Sequence, residues 1–527
     1  MRSHNAPCWR RFGLLGSAAC PMHLRHLFAL LSTALAADDG GALTPPRGWR
    51  SWNQFNGAVT HDDIVRAIHG LTDRSRLVDG VPTSLADLGY GDVGIDDGWQ
   101  QCGHYGPHSY RYHDAAGRPV VAPKFPSLLN LTRLAASLGL TMSWYANACG
   151  CVAAGQCCSD HCDSVECFLQ DVDATLAYGF SGLKVDGCGA QRDIALWYGL
   201  LRQRRAAGAA PVLLEQCHDD DGLPQGNAPR RDEYGALWCP FHLYRVSGDA
   251  GPLYGALLSN LNATRALAAR QLSVPGCWAY ADMLEVGVTA TPAICGATGR
   301  ERCPPLSRTE ARSHFGAWCV VSSPLVLSFD FTNATLLDEV WPTVTNRDAL
   351  AINEAWAGAS GTLFAASAEV TTFTPCGFTR DSSCTWPLWW SWAKPLPATD
   401  ARASRVAILL MNNGDAPTTL GLAYKDVLLP HQLPDPEPEP EPSPGARHGR
   451  QLSTALALAP NPDQVLATNA SSCEVYDVWR RSARGRVGGG GLVERDVAPR
   501  DSVFLTLSRC VAVGGEGEGI EGEVAVA

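Results

Sequence analysis

The stretch Gly182-Leu183-Lys184-Val185-Asp186-Gly187-Cys188 decides the fold. It is short, apolar at alternate positions and bounded by glycines, as a strand buried on both faces should be. Similar runs recur every 25 to 50 residues, at 48–53, 91–99, 140–146, 211–217, 243–249, 276–284 and 315–327, which makes eight. Segments with helical periodicity lie between them, at 62–68, 128–138, 165–178, 194–205 and 253–269. Buried strands alternating with helices predict parallel pairing through βα crossovers, and eight repeats predict an α/β fold, a (β/α)₈ TIM barrel over residues 38–356. An open doubly wound sheet is the alternative, but the glycine-rich phosphate turn that usually follows its first strand is missing.

Beyond residue 357 the texture changes to short strands rich in Thr, Val and Trp, at 361–375, 386–392, 405–412 and 502–507. This predicts an antiparallel β-sandwich domain over 357–512. A Pro/Glu-rich insertion at 434–450 interrupts it, and 513–527 reads as a disordered tail.

The chain has 527 residues, 46% hydrophobic and 18% charged, so it can bury a large core. Its formal charge is −11, and Arg2, Arg10, Arg11 and Arg25 stand in a leading segment without acids, so the remainder is more acidic still. Such a balance excludes nucleic acid as a partner. Arg25, the apolar run Leu27 to Leu35 and the small residues that follow predict a signal peptide over 1–37, with Met22 as an alternative start. That run is too short for a membrane span. Eighteen of the 20 cysteines lie after it, and N-x-S/T sequons occur at Asn130, Asn262, Asn333 and Asn469. Together they predict the secretory pathway, with an extracellular, cell-wall or vacuolar or lysosomal destination.

In such a barrel the chemistry collects where the strands end. Those ends carry Trp52; Asp96, Asp97 and Trp99; Trp144 and Tyr145; Lys184 and Asp186; Glu215 and His218; Arg245 and Asp249; Trp278 and Asp282. Carboxylates interleaved with aromatic rings suit a sugar, whose hydroxyls need acceptors and whose C–H faces stack on aromatic planes. Capping of the strand ends alone would leave similar residues there.

Glycosidic cleavage needs two carboxyl groups in different protonation states. Alternation places Lys184 beside Asp186, which makes Asp186 the nucleophile candidate, held ionised by the ammonium. Only four lysines occur in the chain. Asp249, beside a loop where partial desolvation raises its pKa, is the acid/base candidate. It could equally be the N-cap of a helix starting near Leu253. The cysteines from Cys149 to Cys167, with His161 among them, could bind zinc, but disulfides fit a secreted chain better. The serine-hydrolase elbow and the zinc-hydrolase helix motif are both absent.

Several stretches in order resemble the melibiase-type α-galactosidases of glycoside hydrolase family 27, clan D. They are Thr44 to Asn53, Ile95 to Trp99, Leu183 to Cys188, Arg245 to Asp249 and Pro275 to Leu284, with a weaker likeness at Glu474 to Trp479. The resemblance implies a retaining exo-acting α-galactosidase in which Asp186 attacks the anomeric carbon and Asp249 serves as acid, then base. It implies that Asp96 and Asp97 grip O4 and O6 of galactose and that Lys184 binds O3 and O4. Trp52, Tyr145 and Trp278 would line the pocket, Arg245 would serve the 2-hydroxyl side, and Asp282 would support the acid/base region. It also implies a disulfide from Cys188 to Cys149 or Cys151, and no metal or organic cofactor. The expected partner is an α-galactoside carbohydrate, and a homodimer is compatible with the sequence.

Two departures stand out. The family usually pairs cysteines where this chain has Gly57 and Gly98, and it usually has a Glu contacting the sugar 2-position where this chain has His218. Glu215 either replaces that carboxylate or sits in the barrel wall. Recognition at the 2-position therefore leaves β-L-arabinopyranosidase and α-N-acetylgalactosaminidase activity as alternatives. A catalytically silent galactose-binding protein is a further one.

Overall fold

A computed structural model describes residues 40–103, 112–147, 165–186, 193–217, 228–232, 234–265, 267–289, 304–377, 381–398, 405–427 and 470–512. The expected leader, Cys149, Cys151, Cys188, His218, the Pro/Glu insertion and the tail lie outside them. Eight strands form one sheet: β1 Arg47–Arg50, β2 Asp92–Gly94, β3 Thr141–Asn147, β4 Gly182–Asp186, β5 Leu213–Cys217, β6 Leu243–Arg245, β7 Trp278–Tyr280 and β8 Leu325–Leu327. Their order is β7-β6-β5-β4-β3-β2-β1-β8, with every pairing parallel. The backbone N–H of Leu284, just past β7, donates to Val326 O on β8 at 2.8 Å and spans the remaining gap. The architecture is that of a TIM barrel.

The helices between strands are α1 His61–Thr72, α2 Leu128–Ser137, α3 Val165–Ala177, α4 Ile194–Ala206 and α5 Tyr254–Ala263, followed by α6 Arg308–Val320, α7 Ala334–Val344 and α8 Arg347–Glu354. Side-chain caps start several of them, including the capping boxes Thr60/Asp63 and Ser307/Glu310. No helix among the described residues is long and apolar enough to cross a membrane.

The run 315–327 is not a single strand. Residues to Val320 belong to α6, and only Leu325–Leu327 pairs in the sheet. Ser313 to Val320 are all buried, because this part of α6 lies between the barrel and the C-terminal sheet, and the polar residues Arg308, Thr309, Glu310 and Arg312 are confined to its first turns. A helix covered on all sides shows the same unbroken apolar run as a buried strand.

The C-terminal strands are β9 Thr362–Ala366, β10 Val370–Phe373, β11 Cys384–Pro387, β12 Trp389–Leu396, β13 Arg405–Asn412, β14 Thr418–Ala423, β15 Ala470–Asp477, β16 Ser482–Val487, β17 Gly491–Val497 and β18 Ser502–Ala512. Six form an antiparallel sheet in the order β9-β12-β13-β18-β15-β16. Alternation gives this sheet two apolar faces. Trp390, Trp392, Leu409 and Phe504 join the barrel core, whereas Ile408, Leu410, Leu505 and Leu507 pack with Leu420, Leu422 and Leu492 of the β14–β17 ribbon. Disulfides join Cys239 to Cys277, Cys376 to Cys384 and Cys473 to Cys510.

Candidate active site

Alternation along the strands separates two sets of side chains. Trp144 turns outward and stacks on Phe180 and Trp99. Tyr145, Lys184 and Glu215 turn inward, in register across β3, β4 and β5. One step further along, Asn147, Asp186 and Cys217 form the next layer, at the end where the strands give way to loops.

Asp186 is half-buried within that layer. Its Oδ2 accepts a hydrogen bond from the Tyr145 hydroxyl at 3.0 Å, and that hydroxyl accepts from Asn147 Nδ2 at 3.0 Å. Burial pushes the Asp186 carboxyl up to about 6, with Asp249 and Asp96 adding to the rise while Lys184 and the Tyr145 bond oppose it. Lys184 does favour the ionised form, as expected, but burial outweighs it. Its Nζ donates to Asp96 Oδ2 at 2.8 Å and lies over the Tyr145 ring.

Asp96 and Asp97 follow β2. Asp96 is buried, yet Lys184 and Arg50 outweigh the desolvation and hold its carboxyl below the ordinary value. Asp97 is pushed up to about 7, chiefly by burial and then by Asp96. The Gly98 N–H donates to Asp97 Oδ1 at 2.8 Å, while its buried Oδ2 has no hydrogen-bond partner. A buried acceptor without a partner is costly unless a ligand completes it.

Arg245 ends β6 and gathers the opposite wall. Its guanidinium donates to Asp249 Oδ1 at 3.3 Å, to Ser247 O at 2.9 Å and to Cys217 Sγ at 3.4 Å, and lies 3.1 Å from Asp282 Oδ2. Asp282 adopts φ +88°, a conformation L-residues rarely hold without cause. There its carboxylate accepts from the backbone N–H of Ala250 at 2.6 Å and of Met283 at 2.7 Å. The residue after Asp249 is thereby pinned. Asp249 does not cap α5, whose N-cap is Leu253. Its side chain is 61% exposed, so the partial desolvation expected of it is not found here.

Trp52 is half-buried directly after β1 and packs on Leu243, Tyr280, Met283 and Val326 inside the barrel. Trp278 does not line the pocket. It opens β7 rather than ending it, and its indole donates to Ala42 O at 2.6 Å beside the N-terminal ends of the strands. Glu215 belongs to the barrel wall, because both of its oxygens are taken by Arg50. It therefore offers no free carboxylate to a sugar. Gly57 and Gly98 do lie together: a Cβ on Gly98, at φ +105°, would come 2.7 Å from Gly57 Cα.

Two features escaped the sequence reading. Arg50 shares the inward phase of Gly48, and a charged side chain inside a barrel demands an acid, so alternation could have flagged it. Glu285, buried and pushed up to about 8 chiefly by desolvation, accepts from Asn53 Nδ2. No local pattern announces that pair.

No protein-family model matches the chain. The chain is 26% identical over 330 residues to the α-galactosidase of Oryza sativa subsp. japonica, covering 62% of this chain and 67% of that protein. The crystal structure of α-galactosidase I from Mortierella vinacea superposes with a TM-score of 0.59 at 20% identity, covering 89% of this chain and 98% of that one. A family 27 β-L-arabinopyranosidase from Geobacillus stearothermophilus gives a TM-score of 0.60 at 15% identity, covering 90% of this chain and 98% of that one.

Proposed function

We propose that this chain is a retaining exo-glycosidase that removes terminal α-D-galactosyl residues, with Asp186 as nucleophile and Asp249 as acid/base. It is a glycoside hydrolase, and its relatives include α-galactosidases. The observation that carries the finer reading is the contrast between the two carboxyls. Asp186 is half-buried and held by Tyr145, while Asp249 is largely exposed on the Arg245 wall.

A carboxylate fixed by a hydrogen bond suits in-line attack on the anomeric carbon, forming a glycosyl ester as the bond to the leaving oxygen breaks. An acid in contact with solvent can protonate that oxygen and then take a proton from the attacking water. Each displacement inverts the anomeric centre, so the two together retain it. Asp96, Lys184 and the unpartnered Oδ2 of Asp97 supply hydroxyl ligands. The Asp97 acceptor favours galactose over β-L-arabinopyranose, which lacks the exocyclic CH₂OH and would leave a hydrogen-bonding group without its counterpart.

The test is hydrolysis of p-nitrophenyl α-galactoside followed by proton NMR of the first-formed sugar, together with Asp186→Asn. Retention and loss of at least a thousandfold in kcat support the reading. Unchanged turnover by a folded Asp186→Asn variant would sink it. Relative kcat/KM on the matching β-L-arabinopyranoside and α-N-acetylgalactosaminide fixes the choice at His218.

We also propose a secreted glycoprotein with a catalytic barrel over 38–356 and a β-domain over 357–512. Disulfides Cys239–Cys277, Cys376–Cys384 and Cys473–Cys510 and the exposure of Asn130 and Asn333 support this. Removal of N-glycans from the secreted protein should shift its mass at those two sites.

A further inference from the structure

The pair Arg50–Glu215 crosses the barrel interior beneath the candidate sugar site. Arg50 Nη1 donates to Glu215 Oε1 at 2.7 Å and Nη2 to Oε2 at 2.6 Å, a fork that fixes the guanidinium plane. The two side chains are 8% and 4% exposed. The third nitrogen, Nε, lies 4.0 Å from Asp96 Oδ2, the same oxygen that accepts from Lys184 at 2.8 Å. The other Asp96 oxygen is taken by the N–H of Asp97 at 2.8 Å.

Four charges thus close on one another: Arg50 and Lys184 against Asp96 and Glu215. The backbone makes room for this arrangement, since a Cβ at Gly94 would come within 2.8 Å of Arg50 Nε. If Glu215 lost its charge, two buried cations would compete for Asp96. Arg50, the better fork for a carboxylate, would draw Asp96 away from Lys184.

Resting on the glycosidase reading above, we propose that Glu215 is a positioning residue. It holds Arg50 back so that Asp96 stays on Lys184 and both present a fixed face to the sugar hydroxyls. Glu215 itself never touches the sugar. Binding groups must be held to about half an ångström, so loss of this restraint acts first on affinity.

A purely structural pair behaves differently: its loss lowers Tm but leaves the binding constants of the folded enzyme unchanged, and a buried ion pair can often be exchanged for apolar side chains of similar volume without loss of stability. The test therefore compares wild type, Glu215→Gln, Glu215→Asp and the double variant Arg50→Met/Glu215→Leu. For each, Tm, kcat and KM on p-nitrophenyl α-galactoside and the inhibition constant of galactose are measured. Glu215→Gln should raise KM and the galactose constant by the same factor, about tenfold, with kcat changed less than about threefold, and Glu215→Asp, which keeps the charge, should raise them less. The double variant should regain the wild-type Tm and, with no Arg50 left to draw Asp96 away, constants within about threefold of wild type. A double variant that regains its Tm but keeps the raised constants overturns the proposal. So does a folded Glu215→Gln with wild-type constants, which serves if the double variant does not fold. Wild type without activity on any α-linked aryl glycoside would instead overturn the glycosidase reading and leave the pair's restraint of Asp96 to be read from galactose binding alone.

Discussion

Replacing Tyr145 with Phe removes the only hydroxyl donor described on Asp186 Oδ2, a bond of 3.0 Å, and leaves the ring in place. That bond lowers the pKa of a carboxyl which burial has raised to about 6. A hydrogen bond to a charged group contributes about 1.5–3 kcal/mol, and roughly half of that survives when the carboxyl is protonated. The net loss of about 1.4 kcal/mol corresponds to about one pKa unit, from about 6 to about 7. A nucleophile works only when ionised, so the acid limb of kcat/KM should move up with it. At pH 5 the ionised fraction falls from about a tenth to about a hundredth, while at pH 8 it stays at about nine-tenths or more in both enzymes. The variant should therefore lose about tenfold at pH 5 and almost nothing from this cause at pH 8. The assay is the pH profile of kcat/KM on p-nitrophenyl α-galactoside, whose leaving group needs little protonation, so Asp249 does not distort the acid limb. An equal loss at every pH would refute the reasoning, since Tyr145 would then act on the sugar alone.

Asp249→Asn should spare p-nitrophenyl galactoside far more than an alkyl galactoside, with azide restoring turnover, and it should lower the acid limb because one negative neighbour of Asp186 is gone; equal losses on both substrates would remove Asp249 from the acid role. Exchanging both Cys239 and Cys277 for Ser opens a crosslink between residues 38 apart and should cost about 4 kcal/mol in chemical unfolding; an unchanged midpoint would show that the bond does not form. Lys394 is buried against the end of α8, donating to Ile352 O and Asn353 O, and burial pushes its ammonium down to about 7. Between pH 7 and its unfolded value near 10.4, the unfolded chain holds a proton that the folded one lacks, so this group's contribution to stability rises with pH. Wild type should gain about 2 kcal/mol on Lys394→Met between pH 7 and pH 9, and parallel urea-unfolding profiles would refute it.

The parts of the fold readable in the sequence were those with a local period. The alternation in Leu183-Lys184-Val185-Asp186 placed Lys184 and Asp186 inside, and the structure puts them there. Position along a short strand was not readable. The sequence predicts Trp278 at a strand end, but β7 has three residues and Trp278 is the first. Partners distant in sequence were equally hidden. Lys184 found Asp96, 88 residues away, and Glu215 found Arg50, 165 away. Which inward charges meet depends on barrel curvature and side-chain reach, and neither leaves a trace in a window of neighbours. The chain 315–320 misled for the same reason, because nothing nearby announces that a second layer will cover a helix.

That covering has a consequence for how the chain is made. Helix α6 is sealed by a sheet in which β18, the last strand described, lies between β13 and β15 rather than at an edge. Arg312 and Ser313 on α6 are tied to Asp501 and Arg500 at the start of β18. The usual order, in which an N-terminal domain matures while the rest is still being synthesised, cannot finish here. The apolar stretch Phe315–Val320 of α6 should therefore stay bare until β18 has been made. Nascent chains stalled before β18 should stay bound to chaperones, and truncations in that region should be lost as insoluble protein rather than recovered as a smaller enzyme.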